Sequence, residues 1–344
     1  MPVVSDSVRD RIAIIMMQPG QPAADSLVLP YFQTLLTAAH RHPPSLPIRA
    51  LIALRARRLS RHFSLDELTA QTVDPLITGL ENALWGEGIV RVFAASLFAS
   101  PSAIAIAHDV AAFQPDRLVL LPPSPLFSGG LNGMALQVWD RAAQAAGLGV
   151  TTSSLCCHPI DPAILRILSQ RASVALGRSG TGSLLLVAPG MAWPDGDPLA
   201  WQMERLAREL TLLLDLPVGR IVVARLDVPG FDEGGLQTVE QAIRRTRTPS
   251  LSVLPLTRSP LLRANWAAYR DEWQELAAAA GVLSFSMAQP FWSEGEDLAP
   301  LVRQALAGRA GICTGFGRRL CPDDRGQCPH RRMAVAAMHG QSMA

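Results

Sequence analysis

The sequence predicts an α/β fold of two doubly wound, Rossmann-like domains whose parallel sheets face a shared cleft. Three observations carry the prediction. Apolar runs of strand length alternate with helical patterns along most of the chain. Strand after strand ends in Pro or Gly, where a ligand-binding loop sits in open α/β sheets. The second half then replays the landmarks of the first.

In chain order, Ile12–Met17 is an apolar strand closed by Gln18-Pro19-Gly20-Gln21-Pro22. Helical patterns follow over Leu27–Ala39, Ile48–Phe63 and Thr72–Trp85. Arg91–Leu97 is a second strand, followed by Ser100-Pro101 and a helix over Ala103–Ala112. Leu118–Leu121 ends in Pro122-Pro123-Ser124-Pro125 and the glycine-bearing loop Ser128–Gly133. The helix Met134–Ala146 stops at Gly147, the residue type that best tolerates a helix C-terminus. Thr151–Cys157 is a further strand, leading through His158-Pro159 to the helix Ala163–Ala175.

The replay begins at Leu184–Ala188, which ends in Pro189-Gly190 as Ile12–Met17 ends before Pro19-Gly20. A helical pattern follows over Leu199–Leu214. Ile221–Leu226 then corresponds to Arg91–Leu97, and Leu251–Leu254 with Pro255 to Leu118–Leu121 with Pro122. A helix reaching Ala279-Ala280-Gly281, the strand Val282–Met287 and the helix Asp297–Ala307 complete the second half. These landmarks give domains over 1–177 and 183–309, with Gly180–Gly182 as the linker and a Cys-rich tail over 310–344.

The 344 residues are 49% hydrophobic and 17% charged, so two sizeable cores can be built. A net charge of +2 gives no reason to expect nucleic acid as a partner. Arg55, Arg57, Arg58 and Arg61 form a local basic cluster, read as a solvated helix face with membrane-surface contact as the alternative. No apolar run reaches membrane-spanning length. Asp6, Arg9, Asp10 and Arg11 precede the first apolar run, a pattern unlike a secretory signal, so the expected location is cytoplasmic. Five cysteines in that compartment point to free thiols or a metal site rather than disulfides.

The stretch Leu184–Gln202 carries the sharpest motif. It resembles the ferrochelatase segment S-A-H-G-x-P followed by G-D-P-Y-x-x-Q, matched by Ala188, Gly190, Gly196, Asp197, Pro198 and Gln202. The family's opening N-L-G-T-P is matched by Gly20 and Pro22. Its P-Y-L-x-x-F-L segment resembles Pro30-Tyr31-Phe32-Gln33-Thr34-Leu35-Leu36, and its G-x-P-S-I segment resembles Ala99–Ala103. Its L-P-L-Y-P-Q-Y-S segment with a later glycine resembles Leu121–Ser128 with Gly133. These segments occur in order and at family spacing. The resemblance implies a chelatase-type fold and a role in haem biosynthesis, the insertion of ferrous iron into a porphyrin by a lyase. It places Pro125, Phe127, Ser128, Gly190 and Asp197 at substrate-binding positions.

That reaction needs a ligand to hand over the metal and a base to take two pyrrole protons. The family uses a histidine, and a glutamate in a V-x-D-x-x-E-T segment. Here Pro189 stands at the histidine position, and Arg263, within Thr257–Asn265, falls within a residue of the glutamate position. Proline's ring offers neither a ligand nor a proton acceptor, and a guanidinium stays protonated. The family's Y-Q-S-R-x-G-P segment is also eroded, to Ala224–Gly230. No intact catalytic pair is expected. Three readings follow: a divergent ferrochelatase using His158, Asp195 or Asp197 instead; a pseudoenzyme that binds porphyrin or haem, regulating or partnering a true ferrochelatase; and a cobalt or nickel chelatase acting on another tetrapyrrole.

The tail holds Cys313, Cys321 and Cys328 in a turn-rich, polar segment. Cys321, Cys328 and His330 resemble the C-terminal ligand pattern of cluster-bearing ferrochelatases, with Cys156 or Cys157 as a ligand from the body of the chain. The resemblance implies a [2Fe–2S] iron-sulfur cluster on Cys157, Cys321, Cys328 and His330. Zinc and unligated thiols are the alternatives.

Overall fold

The structure, a computed structural model, describes residues 10–38, 44–63, 73–150, 152–155, 161–177, 182–191, 199–228, 235–258, 260–263, 265–291 and 294–307. Among these described residues there are two parallel sheets of four strands each. The first is built from β1 (Arg11–Gln18), β2 (Ile89–Ser96), β3 (Arg117–Leu121) and β4 (Thr152–Ser154), in the order β2-β1-β3-β4. The second is built from β5 (Ser183–Ala188), β6 (Ile221–Arg225), β7 (Ser250–Pro255) and β8 (Ser284–Met287), in the order β6-β5-β7-β8. The two orders are the same order, as the replayed sequence requires.

Register makes the equivalence residue by residue. Gln18 lies opposite Ser96, and Ala188 opposite Arg225. Ser96 in turn bridges Ser102, as Arg225 bridges Thr238. The turn Gln18-Pro19-Gly20 is therefore the counterpart of Ala188-Pro189-Gly190. Both glycines adopt the left-handed region, with φ of +80° and +71°. The central strand of each sheet is covered on both faces, which is why β5 reads Ser-Leu-Leu-Leu-Val-Ala with every residue buried.

Among the described residues ten α-helices surround the sheets: α1 (Asp25–Ala38), α2 (Leu46–Ser60), α3 (Asp74–Ala83), α4 (Ala103–Phe113), α5 (Met134–Ala145), α6 (Pro162–Leu176), α7 (Leu199–Leu213), α8 (Val239–Arg245), α9 (Trp266–Ala279) and α10 (Gly295–Leu306). Side-chain caps start several of them. Ser102 Oγ accepts from Ala105 N at 3.3 Å, and Asp161 Oδ1 accepts from Ala163 N at 2.8 Å. α8 has no counterpart among the helices expected from sequence. Its seven residues are too few to show a helical period, but its capping box was legible: Thr238 Oγ1 accepts from Gln241 N while Gln241 Oε1 accepts from Thr238 N. The glycine-bearing loop before α5 contains a π-helical turn, Gly129–Gly133, every residue of which is buried.

The halves interlock more closely than two domains across an open cleft. α10, from the end of the second half, packs on α3 of the first. Arg303 Nε meets Glu87 Oε1 at 2.9 Å, and Arg117 donates to the carbonyl of Leu306. α1 crosses in the other direction: the buried Tyr31 hydroxyl donates to Leu261 O at 2.9 Å. One apolar core accordingly joins Ile12 and Ile14 of β1 to Leu184 and Leu186 of β5 and to Leu298 and Leu301 of α10. A second joins Tyr31, Phe32 and Leu35 of α1 to Val187, Val253 and Trp273. Among the described residues no helix is long and apolar enough to cross a membrane.

Candidate functional site

Parallel sheets leave a crevice beyond the carboxyl ends of their strands where the chain order reverses. In the first half that crevice is a cavity of about 330 Å³. Its floor is the end of β1 with the following turn, Met16 to Gln21, and its sides include Ser96 from β2 and Pro123 after β3. α3 supplies Asp74 and Leu76, and α10 supplies Leu298. Two residues after β7, Thr257 and Arg258, reach in from the second half. Among the described lining residues Arg258 is the one cation and Asp74 the one carboxylate, and Asp74 is exposed at the rim. A second, apolar cavity of about 300 Å³ adjoins the first, sharing Gln21, Ser96 and Ser100, and runs along Leu27, Tyr31 and Phe98.

Arg258 is held from behind. Its carbonyl accepts the Trp266 indole N–H at 3.0 Å, and its guanidinium comes within 3.5 Å of Gln18 Oε1. Burial lowers its pKa from the ordinary guanidinium value, because the cation is partly removed from water.

The equivalent turn of the second half is closed off. Pro189 and Gly190 are buried, and Arg225, at the register position of Ser96, is buried with its guanidinium on the carbonyls of Leu226 and Leu236. Both segments the sequence marked for chemistry do reach the seam between halves. Met191, beside Gly190, accepts Gly130 N at 2.9 Å, and Leu261 accepts Tyr31 as described. Neither lines the cavity. Arg263 turns toward α9, meeting Glu272 Oε2 at 2.5 Å and lying 5.7 Å from the centre of the Tyr269 ring. Leu261 holds a left-handed φ of +61°, a cost of roughly 1–3 kcal/mol that the Tyr31 bond and burial help to hold in place.

Pro125, Phe127, Ser128 and Gly190, placed at substrate-binding positions by the motif match, are buried and lie outside the cavity lining. Gln202 latches the Phe127 loop, its amide accepting Phe127 N at 2.9 Å and donating to Phe127 O at 2.8 Å. Asp195, Asp197, Cys156, Cys157, His158, Cys313, Cys321, Cys328 and His330 lie outside the described residues. Among the described residues no group of three or more His, Cys, Asp or Glu is placed to hold a metal ion. Arg258 was not singled out in the sequence. The signal was available: a lone charge three residues beyond a strand's buried carboxyl end, where α/β sheets bind ligands.

No family model matches the chain. Individual relatives do, from end to end. The ferrochelatase of Hyphomonas neptunium is 24% identical over 95% of this chain and 97% of its own length. That of Caulobacter vibrioides (strain NA1000 / CB15N) is 23% identical over 95% of this chain and 99% of its own length. The solved structure of SirB from Bacillus subtilis with Fe3+ superposes with a TM-score of 0.50 at 11% identity, covering 87% of this chain and 98% of SirB. Over nearly its whole length the chain is similar to ferrochelatases. That similarity spans both halves of the chain. In the motif resemblance Pro189 stands at the histidine position and Arg263 falls within a residue of the glutamate position.

Proposed function

We propose that the chain binds a porphyrin or haem and has lost, or nearly lost, the insertion of iron. The observation that carries the reading is Pro189. At the carboxyl end of β5 a metal-inserting site would present a neutral imidazole or carboxylate, and here a buried pyrrolidine ring takes that place. Arg263 deepens the deficit, since a guanidinium paired with Glu272 cannot accept a pyrrole proton. What remains is a cavity with an apolar extension, suited to a flat ring with polar edges. Ferrous iron is the substrate such a site would have handled. The direct test is whether purified protein binds free-base porphyrin and, given ferrous iron without oxygen, leaves it metal-free.

The finer reading includes contact with a membrane surface through α2. Leu46 is 79% and Leu54 64% exposed, and Leu51 and Ile48 are exposed beside them. Arg49, Arg55, Arg57, Arg58 and Arg61 are exposed on the same segment, and residues 44–63 contain no Asp or Glu. Apolar side chains among arginines suit an anionic lipid surface, each cation adding about 1 kcal/mol. At low salt the protein should sediment with phosphatidylglycerol vesicles and stay in solution with purely zwitterionic ones. Leu51→Glu combined with Leu54→Glu should abolish that partition. Equal recovery of the wild type and the double variant on anionic vesicles would contradict the contact.

A further inference from the structure

The second sheet has two edges, and they differ. β6 is covered along its free side: Gln237 Nε2 donates to the carbonyl of Val223 at 3.4 Å, and Thr238 bridges Arg225. β8 pairs with β7 on one side and, among the described residues, with no strand on the other. The N–H groups of Ser284 and Ala288 point to β7, 3.1 and 2.8 Å from Pro249 O and Val253 O. Strand residues alternate, so the N–H and C=O groups of Phe285 and Met287 point to the open edge. Native sheets blunt their edges with charge, yet residues 276–293 hold no Asp, Glu, Lys or Arg. Beside this edge runs an open groove of about 560 Å³ between β8 and α6. Ile167, Val174 and Ala175 line it from α6, with Val174 83% exposed, and Ser286 and Met287 line it from β8. Arg171 closes one end, its guanidinium donating to the carbonyls of Gln289 and Pro290 and pairing with Asp297. Glu294, half-exposed, lies 3.7 Å from the same guanidinium, so the lining holds two carboxylates and one cation.

We propose that the β8 edge is a docking surface for an extended segment of a partner protein, added as a further strand, with apolar side chains at alternate positions and a basic residue beside them. An edge strand flanked by a helix suits this mode: main-chain bonds supply affinity, and the groove under the helix selects the alternate side chains. The face of β8 toward α6 argues against a second copy of this chain as the occupant. Ser286 Oγ lies 2.9 Å from Ser252 Oγ, which donates to Ala175 O of α6, so that face carries serine. A second β8, paired antiparallel about a two-fold axis through the sheet, would bring the same small side chains and leave the groove unfilled. The excess of carboxylate at the end of the groove favours a cation on the incoming segment. The surface shares no lining residue with the cavity beyond β1, and the inference does not depend on the tetrapyrrole reading.

The probe is a fluorescein-labelled peptide of alternating valine and threonine flanked by a lysine at each end, titrated into the full-length protein and followed by anisotropy. Wild type should bind it saturably. The same peptide N-methylated throughout keeps its side chains but cannot pair as a strand, and should not bind. Val174→Lys puts a charge into the groove at a position exposed in the free protein. It should leave the melting temperature unchanged and weaken binding at least about 10-fold. A glutamate-flanked peptide should bind wild type about 3-fold more weakly than the lysine-flanked one, and Glu294→Lys should remove that preference. The expected preference runs against the protein's net charge of +2, so long-range attraction does not explain it. Absence of saturable binding by about 1 mM peptide, or equal binding of the N-methylated peptide, overturns the proposal. So does wild-type affinity in Val174→Lys, which would place the peptide elsewhere. A wild-type dimer that Val174→Lys dissolves overturns it too, giving the edge to a second copy. An undiminished lysine preference in Glu294→Lys overturns the charge assigned to the incoming segment.

Discussion

Gly295→Ala should part the two halves of the molecule. A methyl group at this position would lie 2.2 Å from the backbone N of Leu80 and 2.7 Å from the carbonyl oxygen of Leu76. Both atoms belong to α3, so no side chain can rotate away. Gly79 of α3 faces Gly295, and this glycine pair lets α10 and α3 approach closely. Relief requires the helices to separate, which withdraws Leu298 and Leu301 from the core that they share with β1 and β5. Overpacking of well-filled interiors costs about 1–3 kcal/mol and more when backbone must move. We expect a loss near the top of that range, about 3 kcal/mol, and a melting temperature lower by roughly 5–10 °C. α10 and α3 also line the cavity through Leu298 and Leu76, so porphyrin affinity should fall in the same variant. Thermal denaturation with porphyrin titration of one preparation reads both effects. Wild-type stability would show that the helices are not in the contact described.

Gly190→Ala should be at least as damaging, for two reasons that act together. The residue holds φ of +71°, which costs an L-residue roughly 1–2 kcal/mol. Its Cβ would also lie 1.8 Å from the carbonyl oxygen of Leu226, in the chain leaving β6. That carbonyl already accepts from the buried Arg225 guanidinium, so displacing it leaves a buried cation with one partner fewer. A loss of more than about 3 kcal/mol follows, and with it poor recovery of soluble protein. Gly20→Ala, at the equivalent turn of the first half, meets the side chains of Ser96 and Ala99 rather than a carbonyl, and should cost less. Chemical denaturation of the two variants side by side checks the order; the reverse order would contradict the close approach of the Leu226 carbonyl to Gly190.

Much of this architecture is legible in the residues. The strand Ile12–Met17 and the strand Leu184–Ala188 differ from β1 and β5 by a residue or so at their ends, and the replayed Pro-Gly turns foretell two sheets of one topology. Apolar runs bounded by Pro or Gly are unambiguous because a strand buried on both faces tolerates little else. What joins the halves is not legible. Nothing local in α10 says that its apolar face meets α3 rather than its own sheet, and Gly79 and Gly295 are ordinary glycines until their helices cross. The site was half legible. The substitutions at Pro189 and Arg263 stand out once the motif is aligned, but Arg263 turning to Glu272 and Arg258 turning to the cavity depend on how the chain leaves β7. Leu261, with its left-handed backbone and its bond to Tyr31, sets that path, and no propensity rule places a leucine there.

The central claim is that a chelatase scaffold here binds its ring without metallating it. The measurement that tests it most directly is the visible spectrum of the protein–porphyrin complex after ferrous iron is added under strict anaerobiosis. Because Pro189 offers no metal ligand and Arg263 no base, the free-base porphyrin bands should persist while the porphyrin stays bound. Conversion of those bands to the spectrum of haem, over repeated turnovers and above a protein-free control, would contradict the account.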